Sequence, residues 1–210
     1  METIKFLARS TNSNFYFTPA GATLVFSQEN FTGPKTHKRT NSLATKDPVA
    51  SDIVVGLSFH NANPSPTIKG LKPLPGKSHY LRCKNAQQWR THISYYGKIE
   101  EKAVYPAIDV VFYGNQGELE YDFIVAPGLN PADITFGIEY SRLSATDSLL
   151  VLDAEGNLVL RIAEKTTLRF QRPLIYQESS GQQTSISGHY ILSEQESLDS
   201  DRLTQRETFM

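Results

Sequence analysis

A chain of 210 residues can build one sizeable hydrophobic core or at most two small ones, and a formal charge of −1 gives no bulk attraction to nucleic acid or an anionic membrane. Its single cysteine, Cys83, excludes an intrachain disulfide and any thiolate metal cluster assembled from this chain alone, and reads as a small packing residue. Met1 to Phe6 enter a strand-like pattern at once, without the regions of an export signal, and no apolar run approaches the roughly 18 residues of a membrane span. Expressed as it stands, the chain is expected to stay in the cytoplasm, without membrane insertion.

Residues 4–27 read as a strand and then a hairpin, in which Phe15 to Thr18 and Ala22 to Phe26 are joined by a Pro19-Ala20-Gly21 turn. Gln28 to Asp52 is polar and without period, the longest expected loop, and contains the basic cluster Lys35-Thr36-His37-Lys38-Arg39, read as solvated. Ile53 to Phe59 alternates, which places Ile53, Val55, Leu57 and Phe59 on one face of a core strand. Leu71 to Lys77 reads as a proline-punctuated connector and Tyr80-Leu81 as a short strand. Asn85 to Trp89 is expected to form one helical turn that starts from an Asn cap and ends by burying Trp89.

Ile93 to Ile99 and Val104-Tyr105 lead into the strongest hairpin signal of the chain, Ile108 to Tyr113 and Glu118 to Val125 about a Gly114-Asn115-Gln116-Gly117 turn, closed by Ala126-Pro127-Gly128. Further strands are expected at Ile134 to Ile138, Leu149 to Leu152, Leu158 to Arg161, Leu168 to Phe170, Pro173 to Gln177 and Thr184 to Leu192. No segment holds a 3.6-residue period for three turns, so the chain is all-β, an antiparallel β-sandwich or barrel-like pair of sheets built from successive hairpins. A single domain is expected over residues 1–193, followed by a polar C-terminal tail over 194–210, frayed or at best a short helix.

Pairing Tyr113 with Glu118 puts Ile108, Val110 and Phe112 on the core face with Leu119, Tyr121 and Phe123. The other face then carries Asp109 opposite Asp122, with Glu118 and Glu120 beside them. Like charges directly opposite one another destabilise a ladder, so water, a basic side chain from a neighbouring strand or a bound cation must relieve them. Calcium is the cation that hard oxygen ligands would take. Asp109, Glu118, Glu120 and Asp122 are thus the candidate ligand or metal residues, and Trp89, Tyr121, Phe123, Pro127 and Gly128 the structural ones.

Several strings occur in the order of one module: Phe6-Leu7-Ala8-Arg9, Leu74-Pro75-Gly76, Trp89-Arg90-Thr91, Tyr105-Pro106-Ala107-Ile108-Asp109, Tyr113-Gly114-Asn115, Leu119-Glu120-Tyr121-Asp122-Phe123, Val125-Ala126-Pro127-Gly128 and Arg172-Pro173 with Tyr176-Gln177. Over roughly residues 4–192 the chain resembles the N-terminal β-rich domain of bacterial cell-surface proteins that carry SBBP-type β-propeller repeats. The resemblance implies an extracellular or cell-surface location, partners among proteins or other domains of a longer chain, and neither enzymatic activity nor a cofactor.

Enzyme signals are absent from the sequence itself. His37, His60, His79, His92 and His189 are scattered singly, and no nucleophile elbow, phosphate loop or dinucleotide fingerprint occurs. The sharpest catalytic pairing would be Asp109 with Asp122, at the spacing of a retaining glycosidase, and it would need a cleft. The reading is a non-catalytic structural or interaction module. The alternative is a module that binds calcium or carbohydrate with the acidic face of the central hairpin; a sugar-binding reading would use exposed Tyr95, Tyr96 or Tyr113 as platforms.

Overall fold

The structure, a computed structural model, describes residues 4–10, 13–26, 53–81, 84–141, 149–163, 166–195 and 202–209. The expected loop over 28–52 with its basic cluster, and Cys83, lie outside the described residues. Among the described residues sixteen strands run in chain order: β1 Phe6–Arg9, β2 Ser13–Thr18, β3 Gly21–Phe26, β4 Ile53–Phe59, β5 Thr67–Tyr80, β6 Arg90–Tyr105, β7 Ile108–Asn115, β8 Glu118–Val125, β9 Thr135–Ser141, β10 Leu149–Leu152, β11 Leu158–Ala163, β12 Thr166–Phe170, β13 Ile175–Ser179, β14 Gln182–Ile186, β15 Tyr190–Gln195 and β16 Arg202–Phe209. Every strand pairing with a resolved register is antiparallel, and the only helical pieces among the described residues are short 3₁₀ turns. The all-β expectation holds, as several antiparallel sheets with no closed barrel among the described residues.

The chain divides into two compact units. One consists of Ala62–Leu129 with Phe6 and the residues before it and the Thr18–Ala20 turn, and it contains the four-stranded sheet β5-β6-β7-β8. The rest forms the second unit, with a seven-stranded sheet in the order β1-β2-β3-β4-β9-β16-β15, a three-stranded sheet β10-β11-β12 and the hairpin β13-β14.

In the second unit the alternation of β4 does what its sequence dictates: Ile53 and Val55 are buried, and Val55 lies opposite buried Leu24 of β3. Ile138 of β9, also buried, faces Leu57. Gly21, which ends the Pro19-Ala20 turn at φ 138°, approaches β4 so closely that a Cβ there would sit 2.0 Å from the Leu57 carbonyl oxygen, so only glycine fits. Tyr190 packs edge-on against Phe136 at 6.4 Å and donates its hydroxyl to the Gln171 carbonyl at 2.9 Å, which pairs a buried polar tip with an acceptor.

The β10–β11 turn is built on Asp153. One of its oxygens accepts from the backbone N–H groups of Glu155 and Asn157 at 3.0 and 2.9 Å, and the other from Arg169 of β12 at 3.0 Å. These partners, the Asn157 side chain first, hold the Asp153 carboxyl below the usual carboxylate range.

Two expectations are corrected. Residues 202–209, expected to belong to a polar tail, form β16, which pairs along its length with both β9 and β15. Those two strands leave a gap whose backbone groups need partners, and that demand outweighs a composition rich in charge. Likewise Leu71 to Lys77 is no connector but the middle of β5, with fourteen residues the second longest strand after β6. Pro73 and Pro75 are tolerated because β5 is an edge of its sheet, and the register shift between Leu74 and Lys77, with Gly76 at φ 91°, takes up the distortion.

Candidate functional site

The β7–β8 hairpin forms where it is expected, but its register differs. The turn is the two-residue Gln116-Gly117, at φ 50° and 91°, the left-handed pair of a type I′ turn, so Asn115 lies opposite Glu118 and Tyr113 opposite Glu120. A slip of two residues preserves which face each side chain takes. Ile108, Val110 and Phe112 are accordingly buried, with Phe112 against the Tyr121 ring at 6.2 Å and Tyr121 edge-on to Phe123 at 5.8 Å. Pro127 and Gly128 make the closing turn: Gly128 has φ 85° and the Leu129 N–H donates to the Ala126 carbonyl at 3.4 Å.

The slip changes the acidic face. Asp109 faces Ile124, Asp122 faces Val111 and Glu120 faces Tyr113, so no two carboxylates of β7 and β8 stand directly opposite one another. Three of the four candidates have defined partners. Asp109 accepts the backbone N–H of Ala103 at 2.7 Å, holding the irregular stretch of β6 where Ala103 has φ 54° and the register with β7 shifts. Tyr113 donates its hydroxyl to Asp122 at 3.0 Å, and Asn115 donates to Glu120 at 2.7 Å. Burial, then Asp122 and Glu120, push the Tyr113 hydroxyl well above its ordinary value, which keeps it protonated as a donor.

Basic side chains from β5 and β6 complete the face. Lys98 Nζ sits 4.1 Å from the centroid of the Tyr113 ring, and Lys69 pairs with Glu100 at 2.9 Å. Glu118, beside the turn, is exposed. Among the described residues no group of three or more His, Cys, Asp or Glu side chains is placed to hold a metal ion.

The opposite face of the same sheet holds a group absent from the sequence-based candidates. Glu101 lies between Ile68 of β5 and Val110 of β7, is 0% exposed, and neither carboxylate oxygen has a hydrogen-bond partner. Burial pushes its carboxyl up to about 8. Strict alternation along Ile99, Lys98 and Glu100 places it inward, and that was the signal available in the sequence.

Beyond the hairpin, β5 and β6 continue as a two-stranded ribbon. The resolved pairing of β6 with β7 starts at Lys98, so among the described residues Arg90 to Gly97 pair with β5 alone. Eight residues of extended chain make the ribbon about 25 Å long. One of its faces carries Leu74, Ile93 and Tyr95, which are 50%, 40% and 45% exposed, with Ser78 hydrogen-bonded to the Tyr95 hydroxyl. The other carries Lys77 and Ser94, opposite one another. His79 and His92, single in sequence, meet across the strands with ring centroids 4.9 Å apart, the His92 backbone N–H donating to His79 Nδ1 at 3.4 Å.

At the far end Asn85 caps a 3₁₀ turn over Ala86–Gln88 by accepting from the Gln87 N–H at 3.0 Å, as expected. Trp89, expected to be buried there, is 41% exposed. The turn stands at the end of the β5–β6 ribbon, and the indole is partly in water there. Of the other tyrosines considered as platforms, Tyr96 lies against Gly70 and is edge-on to Phe6 at 5.8 Å, and Tyr113 is half-buried.

The sequence carried a signal for this ribbon. Positions 53–99 contain seven Lys and Arg residues and no Asp or Glu, in a chain whose totals of 21 and 22 nearly cancel. The basic residues are spread singly, so no run marks them, and the net charge hides them.

No curated protein and no solved structure matches the chain. One family does: the domain of unknown function DUF7948 matches residues 1–204, and the chain belongs to that family.

Proposed function

We propose that this chain is a non-catalytic interaction module of a larger bacterial cell-surface protein with SBBP-type β-propeller repeats, and that the β5–β6 ribbon is its contact surface. The observation that carries this reading is the exposed apolar face of Leu74, Ile93 and Tyr95 on a ribbon with no third strand among the described residues. A two-stranded ribbon alone is marginally stable, and apolar side chains held in water without a packing role are a feature of surfaces that meet a partner. The engagement of Asp109, Glu120 and Asp122 with backbone and side-chain donors of their own sheet supports a structural role for the acidic face. The order of the Tyr-Pro-Ala-Ile-Asp and Leu-Glu-Tyr-Asp-Phe strings supports the cell-surface context.

The test is a thermal melt of Leu74→Ser combined with Ile93→Ser. A contact surface that the fold does not need leaves the melt within a degree or two of the parent. A drop of ten degrees or more would make these side chains part of the core and remove the reading.

A further inference from the structure

The kind of partner follows from what shares the ribbon. Over positions 53–99 no acidic residue occurs, and Lys72, Lys77, Lys84 and Arg90 are all exposed on the described part of β5, β6 and their connection. The apolar side chains Leu74 and Ile93 stand beside Tyr95, with Leu81 and Trp89 exposed at the tip. We infer that the β5–β6 ribbon docks on an anionic lipid surface, its Leu74, Ile93 and Trp89 side chains entering the headgroup region while Lys72, Lys84 and Arg90 meet lipid phosphates.

Three features favour this occupant. Specific protein interfaces are depleted in lysine, whereas three of the four exposed cations on the described part of the ribbon are lysines, which suits a diffuse field of phosphates rather than paired recognition. Aliphatic side chains do not stack on bases, and the apolar face carries a single aromatic, Tyr95, where single-stranded nucleic acid would need a row of rings. Tryptophan and tyrosine beside lysine and arginine is the composition of a membrane interface, where amphipathic rings sit at headgroup level. The overall charge of −1 does not oppose such docking, because surface charges farther away than a Debye length are screened.

The inference rests on the ribbon being a contact surface, and the experiment separates the two. Trp89 is the only tryptophan of the chain and reports directly. The intact chain is titrated with phosphatidylcholine vesicles with and without phosphatidylglycerol, and with oligothymidylate. The expected result is a blue shift of Trp89 emission with the anionic vesicles alone, reversed by salt. Lys72→Glu, Lys84→Glu and Arg90→Glu together should weaken vesicle binding on the order of 100-fold. Leu74→Ser with Ile93→Ser should remove the blue shift without altering the charge.

No shift with anionic vesicles, an equal shift with phosphatidylcholine alone, a response to oligothymidylate instead, or binding unchanged in the charge-reversed variant would each overturn the lipid assignment. If it falls while the Leu74→Ser/Ile93→Ser melt matches the parent, the ribbon remains a contact surface for another partner; if that melt collapses, the surface itself is withdrawn.

Discussion

Replacing Glu101 by glutamine removes a charge from the least hydrated place in the four-stranded sheet and keeps the side-chain shape. Burial lifts the carboxyl to about 8 in the fold from the 4.5 of a solvated glutamate, a difference equivalent to about 5 kcal/mol. Because the folded value is raised, the contribution runs opposite to that of a salt-bridged acid. Below pH 4.5 the group is protonated in both states; between 4.5 and about 8 the unfolded chain loses the proton more readily and stability falls by up to about 1.4 kcal/mol per pH unit; above about 8 the penalty is complete. At pH 7 it has reached about 3 kcal/mol. Urea denaturation at pH 5, 7 and 9 should show the parent losing stability across this range and Glu101→Gln losing far less. Parallel profiles would mean that the carboxylate is hydrated or paired, and would refute the reasoning.

Three further outcomes test separate parts of the account. Asp109→Ala, which strips the acceptor from the Ala103 N–H, should cost about 1–3 kcal/mol in urea denaturation, while Asp109→Asn, which keeps an oxygen in place, should recover most of it. Gly70→Ala places a methyl within 2.5 Å of the Tyr96 ring and should lower stability by about 1–3 kcal/mol, with Tyr96→Ala suppressing the difference in a double-mutant cycle. Asp153 is held below its ordinary value by Asn157, its neighbours and Arg169, so its contribution is present at neutral pH and lost as pH falls through the folded value. Acid melts should therefore separate the parent from Asp153→Asn at neutral pH and bring them together in strong acid.

The legible part of this protein is what period-two patterning and turn chemistry decide locally. The hairpins at Pro19-Ala20-Gly21 and around Gly117, the strand Ile53–Phe59, and the core face of Ile108, Val110 and Phe112 all follow from alternation with Gly or Pro between runs. The exact register about Gln116-Gly117 did not, because Gly114 to Gly117 allows more than one turn and only the backbone signs of φ choose between them. That choice set the acidic face, since it moved Asp122 from opposite Asp109 to opposite Val111. Prolines at 73 and 75 masked β5, because their cost depends on whether a strand lies at an edge, which is a property of the whole sheet. Trp89 misled for a related reason: an indole is buried when an element offers it a core, and the turn at Ala86–Gln88 stands at the end of the β5–β6 ribbon.

Collisional quenching of Trp89 by iodide and by caesium, in the folded chain and in urea, tests most directly that the ribbon stands in water as a basic surface. The account predicts clear quenching by iodide in the folded chain, stronger than by caesium, because the surrounding lysines and Arg90 concentrate anions. A shielded indole, or one that caesium reaches better than iodide, would contradict it.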